Sequence, residues 1–93
     1  MAYIEVEQFS LRASVDREAF CDLDVAMQEW SYVHRKGLVR RTTAFGEDRD
    51  VLVLTLLFGA SSPPPAQGGD AVAAFTEAID PTTYRRVVYA DRG

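Results

Sequence analysis

The chain has 93 residues, of which 47% are hydrophobic and 26% are charged. This length is enough for one domain with a single core, and the composition is typical of a globular protein. The net charge of −4 argues against a nucleic-acid partner, because such binding depends largely on Lys and Arg that neutralise phosphates.

Cysteine content and the N-terminal residues indicate the cellular compartment in which the protein is expected. Cys21 is the single cysteine, so the chain cannot form an internal disulfide, which fits a reducing environment. The first five residues contain neither the basic segment nor the apolar run of a signal peptide. No stretch approaches the roughly 20 apolar residues of a membrane span. We therefore expect a cytoplasmic protein with no membrane partner.

The N-terminal residues predict a strand followed by a long helix. From Tyr3 to Arg12, Ile4 and Val6 share one face while Phe9 and Leu11 share the other. Ser14 or Asp16 can cap the next helix, and Gly37 is a natural C-terminal stop. On that helix the residues spaced three and four apart form one stripe, which consists of Phe20, Leu23, Met27, Trp30 and His34.

The second half of the chain predicts a hairpin, a short helix and a last strand. The hairpin joins Leu38 to Phe45 with Val51 to Phe58 through a polar turn. Residues 60–69 are rich in Pro and Gly and predict a flexible loop. A short helix then runs from Asp70 to about Ile79, with Val72, Phe75 and Ile79 facing inward, and the last strand covers Thr82 to Ala90.

The third strand, Val51 to Phe58, is apolar at both parities. A strand with one wet face should alternate apolar and polar residues, so this pattern predicts burial on both sides. The element order predicts an α+β, ferredoxin-like βαββαβ sandwich, residues 1–93 forming one domain, with both helices on one face of the sheet. A second copy of the chain is the simplest cover for the other face, which predicts a homodimer whose two sheets pair into an α/β barrel.

Several functions found on this fold do not match the residues. An RNA-recognition domain needs aromatic and basic residues on the third strand, where this chain has Val51 to Phe58. A metal chaperone needs a Cys-x-x-Cys pair, which one cysteine cannot supply. An acylphosphatase-like site needs a glycine-rich anion loop after the first strand, and residues 12–15 do not provide it.

The remaining pattern resembles the dimeric α/β-barrel superfamily and, within it, small proteins of the antibiotic biosynthesis monooxygenase type. The matching segments are the first strand, the helix with Phe20 and Gln28-Glu29, the run from Gly37 to Ala44, and the ending from Phe75 to Tyr89. The family includes cofactor-independent oxygenases that act on polyketide aromatics, haem-degrading enzymes and members without known activity. The resemblance implies a monooxygenase-like protein without a cofactor, acting on a small aromatic or polyketide-type substrate between helices and sheet. The alternative is a non-catalytic homodimer that binds a small hydrophobic ligand or serves as a scaffold.

Two residues are predicted to be catalytic. His34 continues an otherwise apolar stripe, and a histidine suits proton transfer at neutral pH; it could equally bond the last carbonyls of its helix. Gln8 resembles in position an asparagine on the first strand of haem-degrading relatives, so its amide could bind a ligand oxygen; it could equally be a polar residue satisfied by local hydrogen bonds. The tryptophan and histidine of those relatives are missing between Ala71 and Ile79, which makes haem degradation a poor match.

Three residues of the helical stripe are predicted to bind the ligand: Phe20, Met27 and Trp30. Trp30 could form an aromatic wall for a flat substrate, although it could also be a plain core residue. Each arginine pair, 40–41 and 85–86, straddles two faces of a strand, so one member of each can face inward and hold a phenolate or carboxylate. The alternative is pairing with acids across an interface, for which Glu5 and Glu7 are available. We expect no metal site, because no second His or Cys accompanies His34 at ligand spacing.

Overall fold

The computed structural model describes residues 1–59 and 69–92. Within these residues the element order is that of the predicted βαββαβ sandwich, listed here by its bounds: β1 Ala2–Ser10, α1 Arg17–His34, β2 Leu38–Phe45, β3 Asp50–Phe58, α2 Asp70–Glu77 and β4 Arg85–Asp91. The predicted flexible loop at 60–69 lies outside the described residues, apart from Gly69.

The strands described form one four-stranded sheet in the order β2-β3-β1-β4, and all hydrogen-bonded neighbours are antiparallel. Strands β1 and β2 are therefore parallel with β3 between them, as expected when each βαβ unit is split by a strand of the other. The fold class is confirmed as ferredoxin-like.

The two faces of the sheet differ in burial. Odd-numbered residues of β3 (Val51, Val53, Thr55 and Leu57) are buried under the helices. Even-numbered residues face the other side, where Leu54 is 39% exposed and Phe58 is 63% exposed. The chain therefore covers only one face of β3, as the apolar pattern of this strand predicted.

The core lies between the helices and the odd-numbered face of the sheet. Its centre is an aromatic cluster in which Phe20 packs against Phe75 at 5.3 Å and edge-on against Phe9 at 6.0 Å between ring centroids. Each fully buried aromatic side chain contributes roughly 1.5–3 kcal/mol relative to exposure. These rings hold both helices against β1.

Capping residues fix the ends of α1 as predicted. Asp16 accepts a hydrogen bond from the backbone N–H of Ala19 at 2.8 Å, which satisfies one free donor of the first turn. Gly37 adopts a φ of +86°, and a Cβ there would lie 2.1 Å from the carbonyl oxygen of Phe58. Only glycine can make this close approach between the helix exit and the end of β3.

Three predicted boundaries differ from the structure by two or more residues. β1 ends at Ser10, and Leu11 instead forms an isolated bridge with Ile79. α2 ends at Glu77 rather than near Ile79. β4 begins at Arg85 rather than Thr82 because Asp80 accepts hydrogen bonds from the N–H and hydroxyl of Thr82, at 3.1 and 2.8 Å. This local turn competes with strand pairing.

Candidate active site

Strand β1 places two acidic side chains beneath the helices. Glu5 and Glu7 have the parity of Phe9, which belongs to the core, so they point to the helical side of the sheet. Glu5 is 0% exposed, and Glu7 is half-buried. A carboxyl group in such a position needs a partner, and the two residues have different ones.

A cavity of about 300 Å³ opens beside Glu7. Its lining comes from β1, both helices and the segment before β4, and consists of Glu7, Met27, Phe75, Thr76, Ile79, Pro81 and Tyr84. The volume lies at the lower end of the range of about 300–1,000 Å³ that is usual for ligand sites. Mostly apolar walls with one polar pair are the pattern expected of a small-molecule pocket.

The polar pair in this cavity is a hydrogen bond between Tyr84 and Glu7. The Tyr84 hydroxyl donates to Oε2 of Glu7 at 2.6 Å. Burial raises the pKa of Glu7 above its usual 4.5, and the nearby charge of Glu5 raises it further, while the Tyr84 hydrogen bond and the charges of Arg41 and Arg35 lower it. Burial and the contact with Glu7 also raise the pKa of Tyr84. A carboxyl group with a raised pKa in a pocket is a typical general base or acid.

Glu5 forms a buried ion-pair network instead. Arg35, at the end of α1, contacts its Oε1 at 2.9 Å, and Arg86 of β4 contacts its Oε2 at 2.6 Å. Burial would raise the pKa of Glu5, but the hydrogen bonds and charges of the two arginines outweigh it and hold the pKa below 4.5. Glu5 is thus a fixed anion that anchors α1 to the sheet.

Arg41 is the inward member of its pair and forms a third polar contact under α1. Its Nη1 lies 2.8 Å from Oδ1 of Asp24, and its guanidinium lies 5.4 Å from the ring centroid of Phe75. The expectation that one arginine of each pair faces inward is confirmed by Arg41 and Arg86. Because Phe75 lines the cavity, Arg41 supports one of its walls from behind.

The predicted catalytic residues lie apart from each other and from this cavity. His34 is exposed in the last turn of α1, where its ring lies 5.0 Å from that of Trp30. Gln8 is exposed and has the parity of Val6, on the face away from the helices. There it lines a second cavity of about 390 Å³ with Ser10, Asp50 and Thr83. Their catalytic roles stay predictions.

The predicted ligand-binding residues are divided between cavity and core. Met27 lines the cavity beside Glu7. Phe20 is 0% exposed within the aromatic cluster, and Trp30 is half-buried against the core. Of the three, the structure therefore brings Met27 to the cavity with Glu7.

Sequence reasoning did not assign Glu7 and Tyr84 to the site, although one signal was present. Phe9 and Leu11 mark the inward parity of β1, and Glu7 lies two residues before Phe9. A charged residue at an inward position of an otherwise apolar strand is a candidate functional group. Tyr84 gave no such signal, because it lies in a segment whose strand boundary was misplaced.

Comparisons with known proteins support the fold. No family model and no curated protein matches the sequence. Among solved structures, a candidate antibiotic biosynthesis monooxygenase from Chloroflexus aurantiacus superposes with a TM-score of 0.69 at 14% identity, covering 100% of this chain and 95% of that one. SnoaB, a cofactor-independent oxygenase from Streptomyces nogalater, gives a TM-score of 0.66 at 12% identity and covers 99% and 94%.

A conserved protein from Methanosarcina mazei gives a TM-score of 0.71 at 11% identity, covering 99% and 94%. The chain has the fold of the antibiotic biosynthesis monooxygenase-like proteins. The resemblance seen in the sequence is confirmed at this level. At these identities the likeness concerns the fold alone.

Residues 1–59 and 69–92 lack two features that would point to a membrane or a metal. No helix in these ranges is long and apolar enough to cross a membrane. The same ranges contain no cluster of three or more His, Cys, Asp or Glu side chains that could hold a metal ion.

Proposed function

We propose that the chain is a cofactor-independent monooxygenase-like protein that acts on a small aromatic or polyketide-type substrate in the cavity between helices and sheet. The observation that carries this proposal is the Glu7–Tyr84 hydrogen bond in an otherwise largely apolar cavity. The shared fold with a cofactor-independent oxygenase supports the same reaction class.

Oxygenation without a cofactor requires a substrate that can itself give electrons to dioxygen. In this proposal Glu7 acts as the general base and removes a proton from an acidic methylene or phenol. The resulting anion reduces dioxygen, a C–O bond forms, and loss of water leaves a ketone. The balance is one methylene plus O₂ giving one carbonyl plus H₂O, so no outside reductant is consumed.

The apolar walls and the partly buried base suit this chemistry. Removal of water keeps a carboxylate basic, since the raised pKa of Glu7 makes its ionised form a stronger proton acceptor. Tyr84 orients the carboxylate through Oε2. Among the described residues, none donates a hydrogen bond to Oε1, which leaves this oxygen able to receive the substrate proton.

We propose that the working form is a homodimer. The face of the sheet away from the helices carries exposed apolar side chains, which include Leu54, Phe58, Val87 and Tyr89. Isologous pairing would bury the same patch on both copies. Burial of apolar area gains roughly 25 cal/mol per Å², so association through this face is favourable.

Oxygen uptake tests the reaction directly. The purified chain is mixed with an anthrone in air-saturated buffer, and dissolved oxygen and the mass of the product are followed. We expect protein-dependent consumption of one O₂ per anthrone and a quinone product. Binding of the anthrone without faster oxygen uptake would favour the non-catalytic ligand-binding protein instead.

A further inference from the structure

The lining of the helix–sheet cavity is unbalanced in charge. Of the described residues that line it, Glu7 is acidic and none is Lys, Arg or His. The nearby arginines are paired with other acids: Arg35 and Arg86 with Glu5, at 2.9 and 2.6 Å, and Arg41 with Asp24 at 2.8 Å. A ligand in this cavity therefore contacts an acid but no cationic side chain, while the charges of Arg41 and Arg35 reach Glu7 from outside the lining.

Thr76 contributes to the lining a hydroxyl that can donate or accept, whereas the ionised carboxylate of Glu7 can only accept hydrogen bonds. The Tyr84 hydroxyl donates its hydrogen bond to Oε2 of Glu7, whereas Oε1 receives no hydrogen bond from the described residues. A carboxylate can accept at both oxygens. The site thus offers acceptor capacity to a ligand.

We propose that this cavity selects compact, uncharged aromatic molecules that donate a hydroxyl to Glu7, and that it discriminates against aromatic carboxylates. The inference rests on the proposed function only for the location of the ligand; it adds the charge and the hydrogen-bonding group that the ligand must carry.

Hydrogen bonding and the cost of desolvation both favour an uncharged ligand that donates a hydroxyl. A hydroxyl that donates to Oε1 gains a charge-assisted hydrogen bond, while a methyl ether of the same ring leaves Oε1 without a partner. An aromatic carboxylate would lose its hydration beside an acid and gain no cationic partner in the lining, which is costly. Met27 and Phe75 accept an aromatic ring in all three cases through contacts that do not depend on charge.

Three naphthalene probes separate these effects: 2-naphthol, 2-methoxynaphthalene and 2-naphthoate. Their binding to the full chain is measured by calorimetry at pH 7 in nitrogen-saturated buffer, so that oxygenation does not contribute. We expect 2-naphthol to bind at least about tenfold more tightly than the methyl ether, because its donor reaches a charged acceptor. 2-Naphthoate should bind most weakly.

Two variants test whether Glu7 causes the expected order of probe affinities. Glu7→Gln should bring the affinities of the three probes within about threefold of one another, whereas Glu18→Gln on the exposed face of α1 should preserve the original order. Equal affinities in the unchanged protein, tightest binding of the carboxylate, or no binding of any probe would overturn the inference. So would an unchanged order in a folded Glu7→Gln variant.

The binding experiment and the oxygen-uptake experiment can fail separately. The expected order of binding without oxygen uptake on an anthrone would refute the oxygenase function and leave the selectivity standing. Oxygen uptake together with a flat order of affinities would refute the selectivity alone.

Discussion

Tyr84 and Glu7 are 77 residues apart in sequence and are joined by a hydrogen bond of 2.6 Å. The bond connects the residue before β4 to the middle of β1, at the edge of a cavity that both helices help to line. It raises the pKa of Tyr84 and, taken alone, lowers that of Glu7, which burial keeps above 4.5. The proposed reaction needs Glu7 in its ionised form, so this hydrogen bond affects the pH range in which the base can act.

The first prediction compares the two candidate bases. Glu7→Gln should lower the turnover of an anthrone by about 10²–10⁴-fold, the usual contribution of general acid–base catalysis. His34→Ala should change turnover less than twofold, because His34 does not line the cavity. Steady-state oxygen uptake measures both variants. A large loss with His34→Ala and none with Glu7→Gln would return the catalytic role to the residue that the sequence indicated.

The second prediction concerns the pH profile. Glu7 accepts a proton only when it is ionised, so activity should rise with pH through a midpoint above 4.5. The Tyr84 hydrogen bond lowers the pKa of Glu7, and Tyr84→Phe should therefore move this midpoint to higher pH. Tyr89→Phe is the matched control, because Tyr89 lies on the other face of the sheet and is 57% exposed. An unchanged midpoint in Tyr84→Phe would mean that the Tyr84 hydrogen bond does not affect the pKa of the group that controls activity.

The third prediction concerns the buried network of Glu5. Removing one partner of a buried ion pair typically costs about 3–5 kcal/mol, so Glu5→Gln should lower the free energy of unfolding at pH 7 by about 3 kcal/mol or more. Chemical denaturation measures this loss, and Glu18→Gln serves as an exposed control. A loss below about 1 kcal/mol would mean that the network contributes little.

The same network has a defined pH dependence. The pKa of Glu5 is lower in the folded chain than its usual 4.5, so the folded state binds fewer protons than the unfolded state in that range. Its contribution to stability is present above about pH 4.5 and is lost as the pH falls through the lowered pKa. The difference between the original chain and Glu5→Gln should therefore shrink below pH 4.5.

The fourth prediction concerns assembly. The chain should elute as a dimer at micromolar concentration, and Leu54→Asp should shift it towards monomer because it places a charge in the centre of the apolar sheet face. Val25→Asp is the control, since Val25 is 59% exposed on α1 and lies on the helical side. Sedimentation or light scattering reports the mass. A monomeric original chain across the micromolar range would remove the proposed barrel.

The sequence by itself determined the elements and their order. A nearly continuous apolar run marks β3, and apolar residues every three to four positions mark the stripe of α1, so both were recognisable without tertiary information. The role of Gly37 was also predictable, because a helix stop depends on a few residues that are adjacent in sequence. The two faces of β1 were also readable, with Ile4 and Val6 on one and Phe9 and Leu11 on the other, but not which of them lies under the helices.

Tertiary structure alone decided which side chains meet. The distance between Tyr84 and Glu7 depends on the register of β4 against β1, which pairs Arg86 with Glu7, and no local pattern encodes that register. The same long-range pairing gave Arg86, rather than Arg85, to Glu5. Side-chain identity and spacing set the local backbone, whereas contacts between distant segments arise only when burial of the shared core fixes one sheet register.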